Sequence, residues 1–458
     1  MEHLRKPANE MAYRLVRGAR DIIVEERGDG AIDNVVLCPF SFLTGVAGVY
    51  YHAANEICRN KMEAKLGFQE LFQGHGKKRD VLMAFREAMM QLSKDPLTKR
   101  RRVSVYPGGT EELEQKFRAP FHMYFLHKLL LHKALETSPE YLQDISKYLH
   151  VEHEFVDLNT GDPRRLLLDL ERSLGEVDQT ELDPEVPLEM VDADYTGLRA
   201  FVANAAFYTA HWQVPFDRNL TYWGSFYTET GALQQAKFMT LTYEFPYYED
   251  MSKECCMLEL PYYENSASLI LVMPCDFNRH GDGSHYNNKL RHKSVDDMTR
   301  FLTVEDRRDF NMHKRMRTVQ LALPKFFVQC TFGIHSLLKE LGCQDTIKDD
   351  AGYEQLSGNN EPVRVGEGFH KAAIEVDEDG TFVDQKGSLK LTSPPDVYGG
   401  KTDGRDHPHQ SHDYGPKQVS KSPSSKEKVH LVFDRPFLFD VRHNRSGLFV
   451  FSGYIACP

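Results

Sequence analysis

Phe369-His370-Lys371-Ala372, followed by Glu375-Val376-Asp377-Glu378-Asp379-Gly380-Thr381, is the stretch from which the rest of the chain is read. It runs from apolar residues into an acidic triplet and then Gly-Thr. Beyond it, residues 393–428 are rich in Ser, Pro, Gly, Lys, Asp and His, with very few apolar side chains. Such a composition cannot bury a face, so the segment reads as loop or disorder. A loop of that length inside a compact domain is usually functional or simply disordered. It is not a terminal tail. Leu431–Val441 and Leu448–Ile455 read as a closing pair of strands around Asn444-Arg445-Ser446-Gly447, so the chain must return to the core.

Working outward, the first third reads helical. Met11, Leu15, Ala19 and Ile22 recur at helical spacing and predict an amphipathic helix over residues 8–27. Asn34–Pro39 is a short strand stopped by proline, and Ser41 reads as the cap of a second helix whose face uses Leu43, Val46, Ala47 and Tyr50. Gly67 and Gly74 mark turns, and Asp80–Leu92 is another helix. From about residue 120 the pattern changes. His122–Leu131 and Ala200–Tyr208 read as buried strands, with a helix near Pro139–His150 between them. Cys256–Leu260 and Ser268–Met273 are strands joined at Tyr262-Tyr263-Glu264-Asn265. In Thr318–Leu323, Val319, Leu321 and Leu323 share one face. Early helices followed by late strands argue α+β rather than repeated βαβ units.

Composition narrows the class. The chain has 458 residues, 41% apolar and 27% charged, which is ordinary for a globular protein. Length alone would allow two or three domains. A formal net charge of −11 argues against general binding to nucleic acid or to anionic membranes. No apolar stretch approaches the ~20 residues needed to span a bilayer. Met1–Pro7 lacks the apolar core of a signal peptide, which points to the cytoplasm or to an absent upstream segment. The eight cysteines form no CxxC and suit a reducing compartment. Two N-x-S/T tripeptides, Asn219-Leu220-Thr221 and Asn444-Arg445-Ser446, point the other way.

These elements resemble the serpin family. Asn34–Ser41 with Pro39 is similar to the start of the family's second helix. Phe201–Tyr208, then Trp212 and Pro215-Phe216-Asp217, resembles its central strand and the breach beside it. Leu258–Tyr262 and Leu269–Pro274 resemble a serpin strand pair, and Leu323-Pro324-Lys325-Phe326 and Leu341-Gly342 match too. Phe369–Ala372 with Glu375–Thr381 looks like the strand and hinge that enter the reactive loop. Asp434–Phe439 and Gly453 resemble the closing strands. The motifs run in family order from Asn34 to Pro458. Cys38 departs from the family's Ser, and Leu168-Asp169-Leu170-Glu171-Arg172 stands where an Asn-x-Trp pattern is usual.

The resemblance implies one domain over residues 1–458, with a large central mixed or antiparallel sheet, further sheets and about eight or nine helices. It implies a monomer that is not an enzyme, needs no cofactor, and meets a serine protease or another protein ligand through the exposed loop. The family is mostly extracellular. The hinge is then Glu378, Asp379, Gly380, Thr381, Phe382 and Val383. A serpin inhibitor offers its loop as bait, and after cleavage the loop joins the central sheet as a new strand. Counting by twos, Thr381, Val383, Gln385, Gly387, Leu389 and Leu391 would face the core, and Phe382, Asp384, Lys386, Ser388, Lys390 and Thr392 the solvent. The family's inhibitors favour small residues after Gly-Thr. Val383-Asp384-Gln385-Lys386 replaces that run, and bulk and charge slow insertion.

The loop is also long. Glu378 to Phe437 is roughly twice the usual interval, in the range of functional or disordered insertions. By family register the scissile bond would follow Pro394, but Pro394-Pro395 is a bad protease site. A cut at Lys401 or Arg405 leaves slack at ~3.3 Å per extended residue. The expected protein is therefore a weak or non-trapping inhibitor, with a non-inhibitory carrier or storage module as the alternative.

Other features weigh less. Lys99, Arg100, Arg101 and Arg102, with Lys77-Lys78-Arg79, form a basic cluster near the fourth helix that resembles the place where some serpins bind glycosaminoglycans. Short charge runs are ordinarily solvated loop, which is the favoured reading. His407, His409 and His412 with Asp406 and Asp413 have metal-ligand chemistry, but loop histidines usually only solvate the loop, and no metal is expected. Cys255-Cys256 reads as packing. No GxSxG, HExxH, Walker or GxGxxG motif occurs.

Overall fold

A computed structural model of the chain describes residues 2–28, 33–92, 121–158, 199–275, 310–344, 368–382 and 428–458, with isolated positions between 353 and 366. All of the loop at 393–428 but Lys428, with Val383, Pro394, Lys401, Arg405 and the basic run Lys99–Arg102, lies outside the described residues.

Among the described residues, two sheets carry the fold. The nine-stranded sheet holds β1 (Val35–Leu37), β5 (Tyr222–Tyr227), β6 (Leu233–Asp250), β7 (Cys255–Pro261), β8 (Ala267–Pro274), β9 (Arg315–Pro324), β13 (Val429–Val432), β14 (Phe437–His443) and β15 (Phe449–Ile455). Its order is β1-β15-β14-β8-β7-β6-β9-β13, with β5 pairing β6. The six-stranded sheet holds β2 (Phe121–His132), β3 (Glu152–Val156), β4 (Ala200–His211), β10 (Phe326–Gly333), β11 (Phe369–Val376) and β12 (Gly380–Phe382), in the order β10-β11-β12-β4-β2-β3. It is mixed: β4 runs antiparallel to β2 and parallel to β11.

Six α-helices are described: α1 (Glu2–Arg27), α2 (Pro39–Gly45), α3 (Glu56–Leu66), α4 (Lys77–Leu92), α5 (Pro139–Leu149) and α6 (Ile334–Glu340). The main core lies between the two sheets and the faces of α1, α2 and α4. β4 shows how one strand serves two layers. Ala200, Val202, Ala206, Tyr208 and Ala210 belong to the main core, while Phe201 and Ala203 pack on the opposite face with Leu130, Leu158 and Phe369. Alternate side chains point to opposite faces of a strand, so one apolar run fills both.

The structure departs from the sequence reading in several places. α1 starts at Glu2 rather than near residue 8, because Leu4 and Ala8 extend the buried stripe through Pro7. Ser41 does not cap the second helix. Cys38 holds the N-cap position, Pro39 opens the helix, and Ser41 lies buried inside it. That helix passes directly into a π-helical turn, Val46–Tyr51. The segment Leu431–Val441 is two strands rather than one: β13 pairs parallel with β9, and β14 pairs with β8 and β15. The break falls at Asp434-Arg435-Pro436, where Arg435 is buried against the Asp434 carboxylate at 2.9 Å and proline supplies no N–H. Elsewhere the expected strands and helices stand within a few residues of their predicted limits.

Candidate functional site

The site is built at the end of β11, where the chain leaves the six-stranded sheet and immediately re-enters it. Asp377 folds the turn. Its carboxylate accepts from the amides of Asp379 and Gly380 at 2.9 and 3.1 Å, and its own N–H donates to the Gly380 carbonyl at 3.0 Å. Gly380–Phe382 then runs back as β12. Val376 pairs with Thr381 and Glu375 with Phe382 on one side; His211 pairs with Gly380 and Ala210 with Thr381 on the other. Below this point β11 and β4 touch directly, with Phe369, His370, Lys371 and Ala372 opposite Ala203, Asn204, Ala205 and Ala206. The two strands form a fork, and β12 occupies its open end. Only glycine fits at 380, since a Cβ there would strike the Ala210 carbonyl.

Loops from three directions hold the turn. The Trp212 indole N–H donates to the Asp377 carbonyl at 2.8 Å, and the Trp212 and Phe216 amides donate to the Asp379 and Glu378 carbonyls at 3.0 and 2.9 Å. Trp212 stacks on Tyr262 at 4.6 Å, and the Tyr262 hydroxyl meets the buried Thr381 hydroxyl at 2.6 Å. Thr381 therefore faces the core. The acidic run is neutralised from outside. Lys325, the single residue between β9 in one sheet and β10 in the other, donates to Glu378 at 2.6 Å, and Thr221 donates to the other Glu378 oxygen at 2.7 Å. Arg218 pairs with Asp379.

These contacts set the charges. Burial alone would raise the Glu378 carboxyl, but the bonds from Lys325 and Thr221 outweigh it and hold the group below its ordinary value. Asp377 and Glu375 are pushed up by burial, Glu375 also by Asp377 beside it. The hinge is thus an acidic corner tied to two cations.

One level down the fork, His127 on β2, Asn204 on β4 and His370 on β11 are direct cross-strand neighbours, all buried. α2 lies over them. The Cys38 amide donates to His370 Nε2 at 3.1 Å, the Ser41 hydroxyl meets His127 Nε2 at 3.1 Å, and Gly45 sits so close to Asn204 that a Cβ would strike its amide. Neither end of the Asn204 amide finds a hydrogen-bond partner among the described residues. Burial drives His127 down to about 4, with His150 nearby, and His370 down to about 3, with His127 adding to it.

The sequence named Glu378, Asp379, Gly380, Thr381 and Phe382, and the structure brings their backbones together in the turn and β12. Lys325, Arg218, Thr221 and Tyr262 were not named as site residues. A charge-matching signal was available for the first: a lysine just past the predicted strand Thr318–Leu323, opposite in sign to Asp377-Glu378-Asp379. Of the basic residues near α4, Lys77 is engaged by Glu63 at 2.9 Å, and burial with Arg59 nearby lowers Lys78 to about 8. Cys255 and Cys256 are buried, and burial raises the Cys256 thiol, so the pair is packing material.

A family model described as Serpin (serine protease inhibitor) matches residues 20–458. The chain belongs to the serpin family. Among curated serpins it is 24% identical to mouse (Mus musculus) Serpin H1 over 71% of this chain and 65% of that one. It is 25% identical to Intracellular coagulation inhibitor 2 of Tachypleus tridentatus over 40% of this chain and 41% of that one. Both matches therefore span less than two thirds of the relative. Human (Homo sapiens) Serpin B12 aligns over 96% of this chain and 97% of its own length at 20% identity. The mouse protein-Z dependent protease inhibitor superposes with a TM-score of 0.69 at 17% identity, covering 100% of this chain and 97% of that one. Human thyroxine-binding globulin complexed with its ligand does so at 0.67 and 16%, covering 100% and 99%. The serpin fold is thus shared by a protein named as a protease inhibitor and by one named as a thyroxine-binding globulin.

Proposed function

We propose that this serpin offers the chain beyond Thr381 to a serine protease as bait and traps it weakly or not at all. The observation that carries the reading is β12. The first three residues of the would-be inserted strand already lie between β11 and β4, with Thr381 facing the core. A path for insertion therefore begins in the intact protein. Its continuation would separate the Phe369–Ala372 and Ala203–Ala206 pairs and bring Val383, Asp384, Gln385 and Lys386 into the gap. Those side chains are larger and more charged than a fast insertion favours, and an acylated protease that waits hydrolyses its own bond. Cleavage at Lys401 or Arg405 rather than after Pro394 adds slack to the same effect.

A second reading has its own support: a carrier or storage role with no trapping, as the structural likeness to thyroxine-binding globulin allows. Glycosaminoglycan contact through Lys99–Arg102 remains a lesser part of the proposal; protease nexin-1, another structural neighbour, was solved with heparin. The names of the relatives point to both sides of the membrane, one intracellular and one in plasma; the proposed compartment is extracellular. One experiment separates trapping from carriage. The protein is incubated with trypsin-like and elastase-like proteases, SDS-stable adduct is sought, and the thermal midpoint is measured before and after loop cleavage. A weak inhibitor gives a minor adduct and a raised midpoint. Cleavage without any rise assigns the chain to the second reading.

A further inference from the structure

We propose that Asn219 accepts an N-linked oligosaccharide when this chain passes through a eukaryotic secretory pathway, and that Asn444 does not carry one in the folded, secreted protein. The sequence offers both tripeptides equally, and the structure separates them. Asn219 lies on an exposed 3-10 turn, Arg218–Leu220. Its side-chain nitrogen makes one local bond, to Asp217 Oδ1 at 3.0 Å, and its backbone amide reaches the same oxygen at 2.9 Å. An amide linked to sugar keeps one N–H, so that bond survives the modification.

Asn444 stands in the opposite condition. Its nitrogen donates to the Asn265 carbonyl and side-chain oxygen, both at 3.0 Å, and to Ser268 Oγ at 2.8 Å. Its side-chain oxygen accepts from Arg442 Nε at 3.1 Å. Ser446, which completes the tripeptide, is buried, with its hydroxyl 2.7 Å from His443 Nδ1. A sugar on Asn444 would push the turn between β14 and β15 off the turn between β7 and β8. A chain modified there loses most of these bonds, the one to the buried Ser268 among them, so the folded form is selected against when the sugar is present.

The transfer is balanced. The Asn219 nitrogen bonds to C1 of a lipid-linked oligosaccharide, the C1–O bond to the lipid diphosphate breaks, and the amide proton leaves with the diphosphate. The attached sugar then stands beside the Arg218–Asp379 pair and the Thr221–Glu378 bond, at the edge of the hinge.

To test this, the full chain is secreted from mammalian cells behind a cleavable leader. It is treated with peptide N-glycosidase in heavy-oxygen water, which marks each formerly modified asparagine as labelled aspartate. Labelled aspartate at 219 and unlabelled asparagine at 444 are expected, with the gel shift abolished in Asn219→Gln. An unlabelled 219, or label at 444, overturns the proposal. If Asn219→Gln is not secreted, the labelling pattern of the unchanged chain decides alone. Neither outcome depends on whether the loop traps a protease.

Discussion

Lys325 and Glu378 meet at the corner where the two sheets join, with the Glu378 side chain only 5% exposed. Removing one partner of a buried pair strands the other charge. Lys325→Ala is therefore expected to cost about 3 kcal/mol in urea unfolding, and Tyr262→Phe, which deprives the buried Thr381 hydroxyl, about 1 kcal/mol. His127 and His370 make a pH prediction. Both imidazoles titrate lower in the fold than their ordinary 6.5. Above that value both are neutral, folded or not, and their contribution to stability is intact. Below it the unfolded chain binds protons that the fold refuses, so stability falls from pH 6.5 toward about 4, by about 3 kcal/mol for a shift of His127's size. Urea midpoints for the parent and His127→Asn should coincide in slope above pH 6.5 and diverge below it, the variant falling less. Identical slopes throughout would remove the histidine from the account. Of this chemistry the sequence showed the acidic hinge but not the groups that hold it, because Arg218, Thr221 and Lys325 reach it only across the fold.

At the scale of elements, β12 decides most. Its seat depends on Gly380, whose missing Cβ leaves room for the Ala210 carbonyl, with the His211 Cα at 2.9 Å from where a Cβ would stand. Backbone atoms cannot give way as a side chain would. Gly380→Ala should expel β12 from the fork. The Trp212 and Phe216 amides should then exchange with solvent faster, and the protein should lose about 1–3 kcal/mol. Unchanged exchange at both amides would mean that the fork does not hold the hinge through this strand. Strands buried on both faces, such as β8, were legible because every residue from Ala267 to Pro274 is buried and the sequence is a plain apolar run. β6 was missed, since exposed and buried positions follow no steady alternation along its 18 residues. The break at Asp434-Arg435-Pro436 was read through, because Leu431, Phe433, Phe437 and Phe439 are all buried and their pattern crosses it without interruption. The Ser41 misreading has a similar cause: a hydroxyl near a helix start is a cap by default, and only the fold reveals that it faces His127.

For the whole molecule, the order of motifs along the chain identified the family where no single element could, and the expectation of a large central sheet with further sheets followed from the family rather than from periodicity. What periodicity could not supply was which strand lies beside which. β14 sits between β8 and β15, and β15 between β14 and β1, so the chain's last segment is an inner part of the nine-stranded sheet and not an appendage. A protease that severs the loop at Lys401 or Arg405 would therefore convert one polypeptide into two that stay married: the C-terminal fragment, with Phe437, Phe439, Val441, Phe451 and Ile455 buried among strands of the larger one, has no way out short of unfolding. Native electrophoresis should show one particle where a denaturing gel shows two bands.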